Sequence, residues 1–144
     1  MEGLPPTPTP NEIPTKPISV LLVDDNPIFL QIITDFLRNH YRQEVAVVGA
    51  AHSGQEAVCQ TRQLQPQVVL LDLAMPDMSG LEAIPLLQAA LPAVGIIILT
   101  AHNFDGYREL ALTAGADAFV PKAQASDLLW PVIRQVAVAK SQKQ

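Results

Sequence analysis

The segment that decides the fold is "VVLLDLAMPDMSG", residues 68–80. Four apolar residues run directly into Asp72, and a loop punctuated by Pro76 and Gly80 follows. A continuous apolar run of this length is typical of a strand that is buried on both faces, as in a parallel sheet covered by helices. In open α/β sheets ligands bind beyond the carboxyl ends of the strands, and Asp72 lies at such an end. The segment therefore predicts both a buried parallel strand and a reactive edge.

The same pattern of an apolar run followed by a segment of helical spacing occurs five times along the chain. The predicted strands are "ISVLLV", "EVAVVGA", "PQVVLLD", "VGIIILT" and "ADAFVP". The segments after them with helical spacing are "PIFLQIITDFLRNH", "SGQEAVCQTRQL", "SGLEAIPLLQAAL", "FDGYRELALTAG" and "SDLLWPVIRQVAVAK". Right-handed crossovers allow only a few topologies for such a chain. We predict an α/β, flavodoxin-like, doubly wound five-stranded parallel sheet in the order 2-1-3-4-5, with helices on both faces.

Short signals predict where several helices begin and end. Ser53 and Ser79 are each followed three residues later by a glutamate, which is a capping-box pattern. Gly115 is a natural C-terminal cap for the fourth helix. Pro85 and Pro131 each fall about five residues into a predicted helix, where the missing N–H is expected to kink the helix or delay its start.

The composition fits one folded domain and argues against several classes of protein. The chain has 144 residues and a formal net charge of −5, and its nine Lys and Arg residues are scattered singly, so we expect no direct binding of nucleic acid. The apolar runs are far shorter than the roughly 20 residues that cross a membrane, and no signal peptide precedes them. We therefore expect a cytoplasmic protein without a membrane partner. Cys59 has no internal disulfide partner and is expected to be a small buried hydrophobe.

The chain divides into three predicted parts. Residues 1–17 carry six of the thirteen prolines and few large apolar residues, which predicts a disordered, polyproline-like tail. Residues 18–140 form the folded domain. Residues 141–144 are a polar C-terminal end.

Polar side chains follow four strands that are consecutive neighbours in the predicted sheet. Asp24 and Asp25 end the first strand, Asp72 the third, Thr100 the fourth, and Lys122 the fifth. A single Asp in such a position is typical of a turn or a helix cap, and a single Thr or Lys there usually has no function. Three carboxylates brought together repel one another unless a cation joins them, and hard oxygen ligands suit Mg²⁺ or Mn²⁺. Lys122 and Thr100 then suit an anion, and Asp72 is placed to be a nucleophile that forms an aspartyl phosphate.

The motifs "VDDN", "LLDLAMPDMSG", "ILTA" and "FVPKA" together resemble the receiver domain of two-component response regulators, over about residues 18–140. The resemblance implies that Asp72 is the phosphoacceptor and that the acidic pair Asp24 and Asp25 holds the metal. It also implies that the backbone carbonyl of Ala74 is the remaining protein ligand of the metal.

The resemblance extends to the residues that respond to phosphorylation. Thr100 matches the hydroxyl that turns toward the phosphoryl group, and Lys122 matches the lysine that pairs with it. Phe119 matches the aromatic residue that swings inward on activation, with plain core packing as the alternative interpretation.

The resemblance also implies a mechanism and partners. A histidine kinase or a histidine phosphotransfer protein would donate the phosphoryl group in a Mg²⁺-dependent reaction, and a partner-binding surface would then change. Pro121 before the lysine and Ala123 after it resemble regulators of the nitrate-response type, which carry a helix-turn-helix output domain. The expected partner is therefore a downstream protein or an output domain missing from this chain, and the surface formed by the fourth and fifth helices could form a homodimer.

Two other functions stay open. One is a phosphorylation-independent binding module with the same fold, although such modules usually lack an acidic residue or the lysine. The other is a phosphatase or phosphotransferase that turns over external substrates. Those enzymes usually carry a second acid two residues after the nucleophile, where this chain has Ala74, so we expect a self-modifying switch and no turnover enzyme.

Overall fold

The computed structural model describes residues 16–101 and 105–142, and it confirms the predicted sheet. Five parallel strands are arranged in the order β2-β1-β3-β4-β5. They are β1 Ile18–Val23, β2 Val45–Ala51, β3 Val68–Leu71, β4 Gly95–Thr100 and β5 Ala118–Pro121. Most of the predicted tail, residues 1–15, lies outside the described residues, as do residues 143–144.

Five α-helices cover the sheet and complete the doubly wound fold. They are α1 Pro27–His40, α2 Gly54–Leu64, α3 Gly80–Ala90, α4 Asp105–Ala114 and α5 Ala125–Ser141. Buried side chains of α1 and α5 pack on one face of the sheet, and those of α2, α3 and α4 pack on the other. A short 3-10 turn, Lys122–Gln124, joins β5 to α5.

The apolar strands supply both halves of the core because successive side chains point to opposite faces of a sheet. In β1, Val20 and Leu22 pack beneath α1 and α5, whereas Leu21 and Val23 pack on the opposite face. All four are at most 2% exposed. This explains why the strands read as continuous apolar runs.

The capping signals act as predicted. The side chain of Ser53 accepts a hydrogen bond from the Glu56 amide at 3.1 Å, and that of Ser79 accepts one from the Glu82 amide at 3.2 Å. The fourth helix ends at Ala114, and Gly115 then adopts a φ of +119°, a backbone conformation that glycine adopts without strain.

The two prolines leave the helix boundaries intact. The third helix starts at Gly80 and the fifth at Ala125, so neither start is delayed, and both helices continue past their proline. Pro85 and Pro131 are exposed, so each lies on the side of its helix that faces water. Water can there satisfy the carbonyl that the proline leaves without an intrahelical donor.

The expectation that Cys59 is buried is wrong. Ala57 and Thr61 are the buried side of this part of α2, and Cys59 lies between them in sequence, about 200° around the helix from each. Its thiol is therefore exposed.

Within residues 16–101 and 105–142, none of the helices is long and apolar enough to cross a membrane.

Candidate functional site

The backbone of the sheet fixes the two central acids. The Asp24 amide donates to the Ala51 carbonyl at 3.0 Å, and the Asp72 amide donates to the Val23 carbonyl at 3.0 Å. These bonds extend the ladders of β1 and β3 by one residue beyond each strand. Both carboxylates are therefore held at the carboxyl edge of the sheet by its hydrogen bonds.

Three carboxylates meet at this edge, as predicted. Asp24 and Asp72 are only 3% and 5% exposed, Asp25 is exposed, and one oxygen of each acid lies within 4.8 Å of the other two. Asp24 Oδ1 accepts a hydrogen bond from the Asn26 amide at 2.9 Å. Its Oδ2 is buried and accepts no hydrogen bond from any residue the structure describes. Three carboxylates this close together, one of them with a buried oxygen that accepts no hydrogen bond, fit a hard divalent cation such as Mg²⁺.

Lys122 supplies positive charge to the same edge. Its Nζ lies 2.7 Å from Asp24 Oδ2 and 3.9 Å from Asp72 Oδ2, so the ammonium is paired closely with Asp24 and more loosely with Asp72. The 2.7 Å contact is a close, largely buried ion pair. The ammonium also lies 4.0 Å from the centroid of the Phe29 ring, over its face, which favours a cation.

The environment of Asp72 raises the pKa of its carboxyl above the ordinary value. Burial is the largest cause, because it disfavours the charged form. A hydrogen bond from the side chain of Thr100 lowers the pKa, the charge of Asp24 raises it, and the charge of Lys122 lowers it. The Leu73 amide, which donates to Asp72 Oδ1 at 2.9 Å, lowers it further. Thr100, Lys122 and Leu73 therefore offset part of the cost of keeping a buried carboxylate ionised.

The remaining predicted residues lie close to this cluster in sequence and fold. Ala74 is exposed in the loop between β3 and α3, two residues beyond Asp72. Phe119 is 7% exposed and packs into the core on the face that α2, α3 and α4 cover. The structure thus brings the three acids, the hydroxyl and the ammonium together, while the metal role of Ala74 and the switch role of Phe119 stay predictions.

Two contributors were missed by the sequence analysis. Phe29, beneath the lysine, looked like an ordinary member of the apolar stripe of α1. Asp77 lies in the segment that decided the fold, yet its carboxylate binds the amides of Gly54 and Gln55 more than twenty residues earlier in the chain. A single sequence carries no signal for such a distant pairing.

The comparison with protein families decides the identity of the domain. The family model described as "Response regulator receiver domain" matches residues 20–134. This chain belongs to the response regulator receiver family. Receiver domains are signalling switches of two-component systems.

Individual relatives agree with this family. Over 122 residues the receiver is 38% identical to a protein-glutamate methylesterase/protein-glutamine glutaminase of Moorella thermoacetica, covering 83% of this chain and 28% of that protein. Over 124 residues it is 32% identical to the response regulator protein VraR of Staphylococcus aureus, covering 86% of this chain and 58% of VraR. The chain thus spans only part of the length of these curated relatives.

A solved structure supports the resemblance to the nitrate-response type. The signal receiver domain of the putative response regulator NarL from Mycobacterium tuberculosis superimposes with a TM-score of 0.76 at 27% identity. The match covers 85% of this chain and 97% of that domain.

Proposed function

We propose that this receiver is switched by phosphorylation of Asp72, with a histidine kinase or a histidine phosphotransfer protein as donor and Mg²⁺ (or Mn²⁺) as cofactor. One observation carries the proposal. The buried carboxylate of Asp72 lies within 4.8 Å of those of Asp24 and Asp25, and both the Lys122 ammonium and the Thr100 hydroxyl interact with it. This is the set of groups that in-line phosphoryl transfer to a carboxylate requires.

The chemistry at Asp72 is a displacement at phosphorus. A carboxylate oxygen of Asp72 forms the new O–P bond, the N–P bond of the donor phosphohistidine breaks, and the departing nitrogen keeps the electron pair. The Leu73 amide holds the orientation of the Asp72 carboxylate through the bond to Oδ1. Because phosphoryl transfer depends mostly on positioning and electrostatics, this fixed geometry is the main contribution of the protein.

The metal would be held by Asp24, Asp25, Asp72 and the backbone carbonyl of Ala74. When bound, a divalent cation neutralises charge shared between the carboxylate and the phosphoryl oxygens. Lys122 adds positive charge from the side of Asp24, where it already neutralises one of the three acids.

Phosphorylation would switch the domain by changing the groups that Lys122 and Thr100 contact. A phosphoryl group on Asp72 adds negative charge that attracts the Lys122 ammonium and the Thr100 hydroxyl. Lys122 begins the 3-10 turn between β5 and α5, so its movement is transmitted directly to both elements. Phe119, three residues earlier and on β5, is the residue through which the core would repack. The surface of α4, β5 and α5 would then bind a downstream protein, an output domain or a second copy of the chain, in the cytoplasm.

The proposed receiver is a self-modifying switch. The position two residues after Asp72 is occupied by Ala74, which offers no side-chain proton to a leaving group or a water. The aspartyl phosphate would therefore hydrolyse slowly without turnover of external substrates.

The proposal is tested by measuring the intact mass of the protein after incubation with acetyl phosphate and MgCl₂. The wild type should gain one phosphoryl group, and Asp72→Ala should gain none. Asp127→Ala, which removes an exposed aspartate from the first turn of α5, is the matched control and should be modified like the wild type. A folded wild type that gains no mass over a range of donors and times would overturn the proposal and favour a phosphorylation-independent binding module.

A further inference from the structure

Asp77 ties the loop between β3 and α3 to the N-terminus of α2. The Gly54 amide donates to Asp77 Oδ1 at 2.9 Å, and the Gln55 amide donates to Asp77 Oδ2 at 2.9 Å. Both amides belong to the first turn of α2, where backbone N–H groups have no partner inside the helix. The two bonds hold the pKa of Asp77 below its ordinary value, so the carboxylate is charged and bound at neutral pH.

Packing of a side chain also holds the loop between β3 and α3 against α2. A Cβ atom added to Gly54 would lie 2.3 Å from Cγ of Met78, the residue after Asp77. The side chain of Met78 therefore packs directly on the backbone of Gly54. The hydrogen bonds of Asp77 and the packing of Met78 therefore hold the loop in the same position against α2.

The loop is also fastened at its other end. The Gly80 amide donates to the Leu73 carbonyl at 2.8 Å, and a Cβ atom on Gly80 would lie 2.5 Å from the Asp72 carbonyl oxygen. The segment 74–76 spans the gap between the anchor at Leu73 and the anchor at Asp77. Ala74 lies in this span and is exposed.

We propose that Asp77 is a positioning residue for the metal site: by binding the N-terminus of α2, it holds the loop so that the Ala74 carbonyl stays beside Asp72. This inference rests on the proposed function. A loop held in place before the cation arrives does not have to be ordered at the moment of binding. Groups that orient a metal ligand from outside typically change affinity by 10- to 100-fold when they are removed.

Coupling of this kind acts in both directions. If the Asp77 contact strengthens binding of the cation, the cation must strengthen the Asp77 contact by the same factor. The amides of Gly54 and Gln55 lie on α2 and are not among the proposed metal ligands. Their hydrogen exchange should nevertheless slow when MgCl₂ is added.

The affinity for Mg²⁺ is measured by titration calorimetry on the unphosphorylated protein with MgCl₂ alone. Asp77→Ala should weaken binding about tenfold, and Asp77→Asn, which keeps one acceptor oxygen, should weaken it less. Ser53→Ala is the matched control, because it removes a different hydrogen bond, the one to the Glu56 amide, from the same end of α2. It should leave the affinity within about twofold of the wild type, since the hydrogen bond that it removes joins two residues at the start of α2 and does not involve the loop.

The outcomes separate the positioning role from the proposed function. A wild type that binds no Mg²⁺ would overturn the proposed function itself. A wild type that binds Mg²⁺ and an Asp77→Ala variant with the same affinity would overturn only the positioning role. Equal losses in Asp77→Ala and Ser53→Ala would overturn it as well, because the effect would then come from the stability of α2. A rate of hydrogen exchange at the amides of Gly54 and Gln55 that is the same with and without MgCl₂ would also contradict the positioning role.

Discussion

Replacing Lys122 by methionine should lower the free energy of unfolding, and Mg²⁺ should offset part of that loss. The change removes the ammonium but keeps an apolar stem against Phe29. At an effective dielectric constant of about 20, attraction at 2.7 Å to Asp24 and 3.9 Å to Asp72 amounts to about 6 and about 4 kcal/mol. Desolvation of the lysine offsets much of this, and breaking a buried pair by removing one partner costs about 3 kcal/mol at the low end of the measured range. We expect that loss because Asp24 Oδ2 would remain buried with no cation beside it.

The free energy of unfolding is measured by urea denaturation with EDTA and again with saturating MgCl₂. In EDTA, Lys122→Met should be about 3 kcal/mol less stable than the wild type. With saturating MgCl₂ both proteins gain stability, but the variant should gain more, because removing the ammonium from beside Asp24 lets it bind the cation more tightly. A Kd tenfold lower than that of the wild type would reduce the deficit by about 1.4 kcal/mol. Lys140→Met is the matched control. Lys140 Nζ pairs with Asp117 Oδ1 at 3.2 Å, and Asp117 directly precedes β5, at the end of the sheet away from the three carboxylates.

The comparison between the two lysine variants decides the matter. Any loss in Lys140→Met should be the same with and without MgCl₂, since no metal site adjoins Asp117 in this account. A loss in Lys122→Met that is likewise unchanged by MgCl₂ would refute the reasoning, because it would mean that removing the Lys122 charge does not strengthen binding of the cation.

Three further outcomes follow from the structure. Asp72→Asn should raise the free energy of unfolding at pH 7 in EDTA. The pKa of Asp72 is raised in the folded protein, so ionising this carboxyl lowers stability at pH values above 3.8, and asparagine avoids that cost. Urea denaturation should show the gain in stability disappearing as the pH falls through the raised pKa toward 3.8. Leu129→Ala should lower the free energy of unfolding by about 3 kcal/mol in the same assay, since Leu129 is 0% exposed in α5, and a loss below about 1 kcal/mol would contradict that burial. Cys59 should react with a thiol reagent in native buffer as fast as it does in urea, whereas protection in native buffer would contradict its exposure.

The sheet and the acidic cluster were predictable because both depend on local sequence and on one topological rule. Strands that are apolar on both faces require helices on both faces, and the order 2-1-3-4-5 then places the ends of four strands side by side. Asp24, Asp72, Thr100 and Lys122 therefore meet wherever that order is adopted. Their residue types alone suggested the chemistry.

The features that were missed depend on geometry between distant elements. The close pairing of Lys122 with Asp24, nearer than with Asp72, follows from where the 3-10 turn starts and from the position of the Phe29 ring. The bonds of Asp77 to α2 depend on how a loop folds back over a helix end. The exposure of Cys59 depends on which side of α2 faces the sheet, and residue type misled the prediction there.

The most direct test of the central claim locates the phosphoryl group on the chain. An acyl phosphate is reduced by borohydride to an alcohol, which would convert a phosphorylated aspartate into homoserine. After treatment with acetyl phosphate and MgCl₂ followed by borohydride, peptide sequencing by mass spectrometry should find homoserine at position 72 and aspartate at positions 24 and 25. Homoserine at another position, or aspartate retained at position 72 in a protein shown to carry the phosphoryl group, would contradict the account.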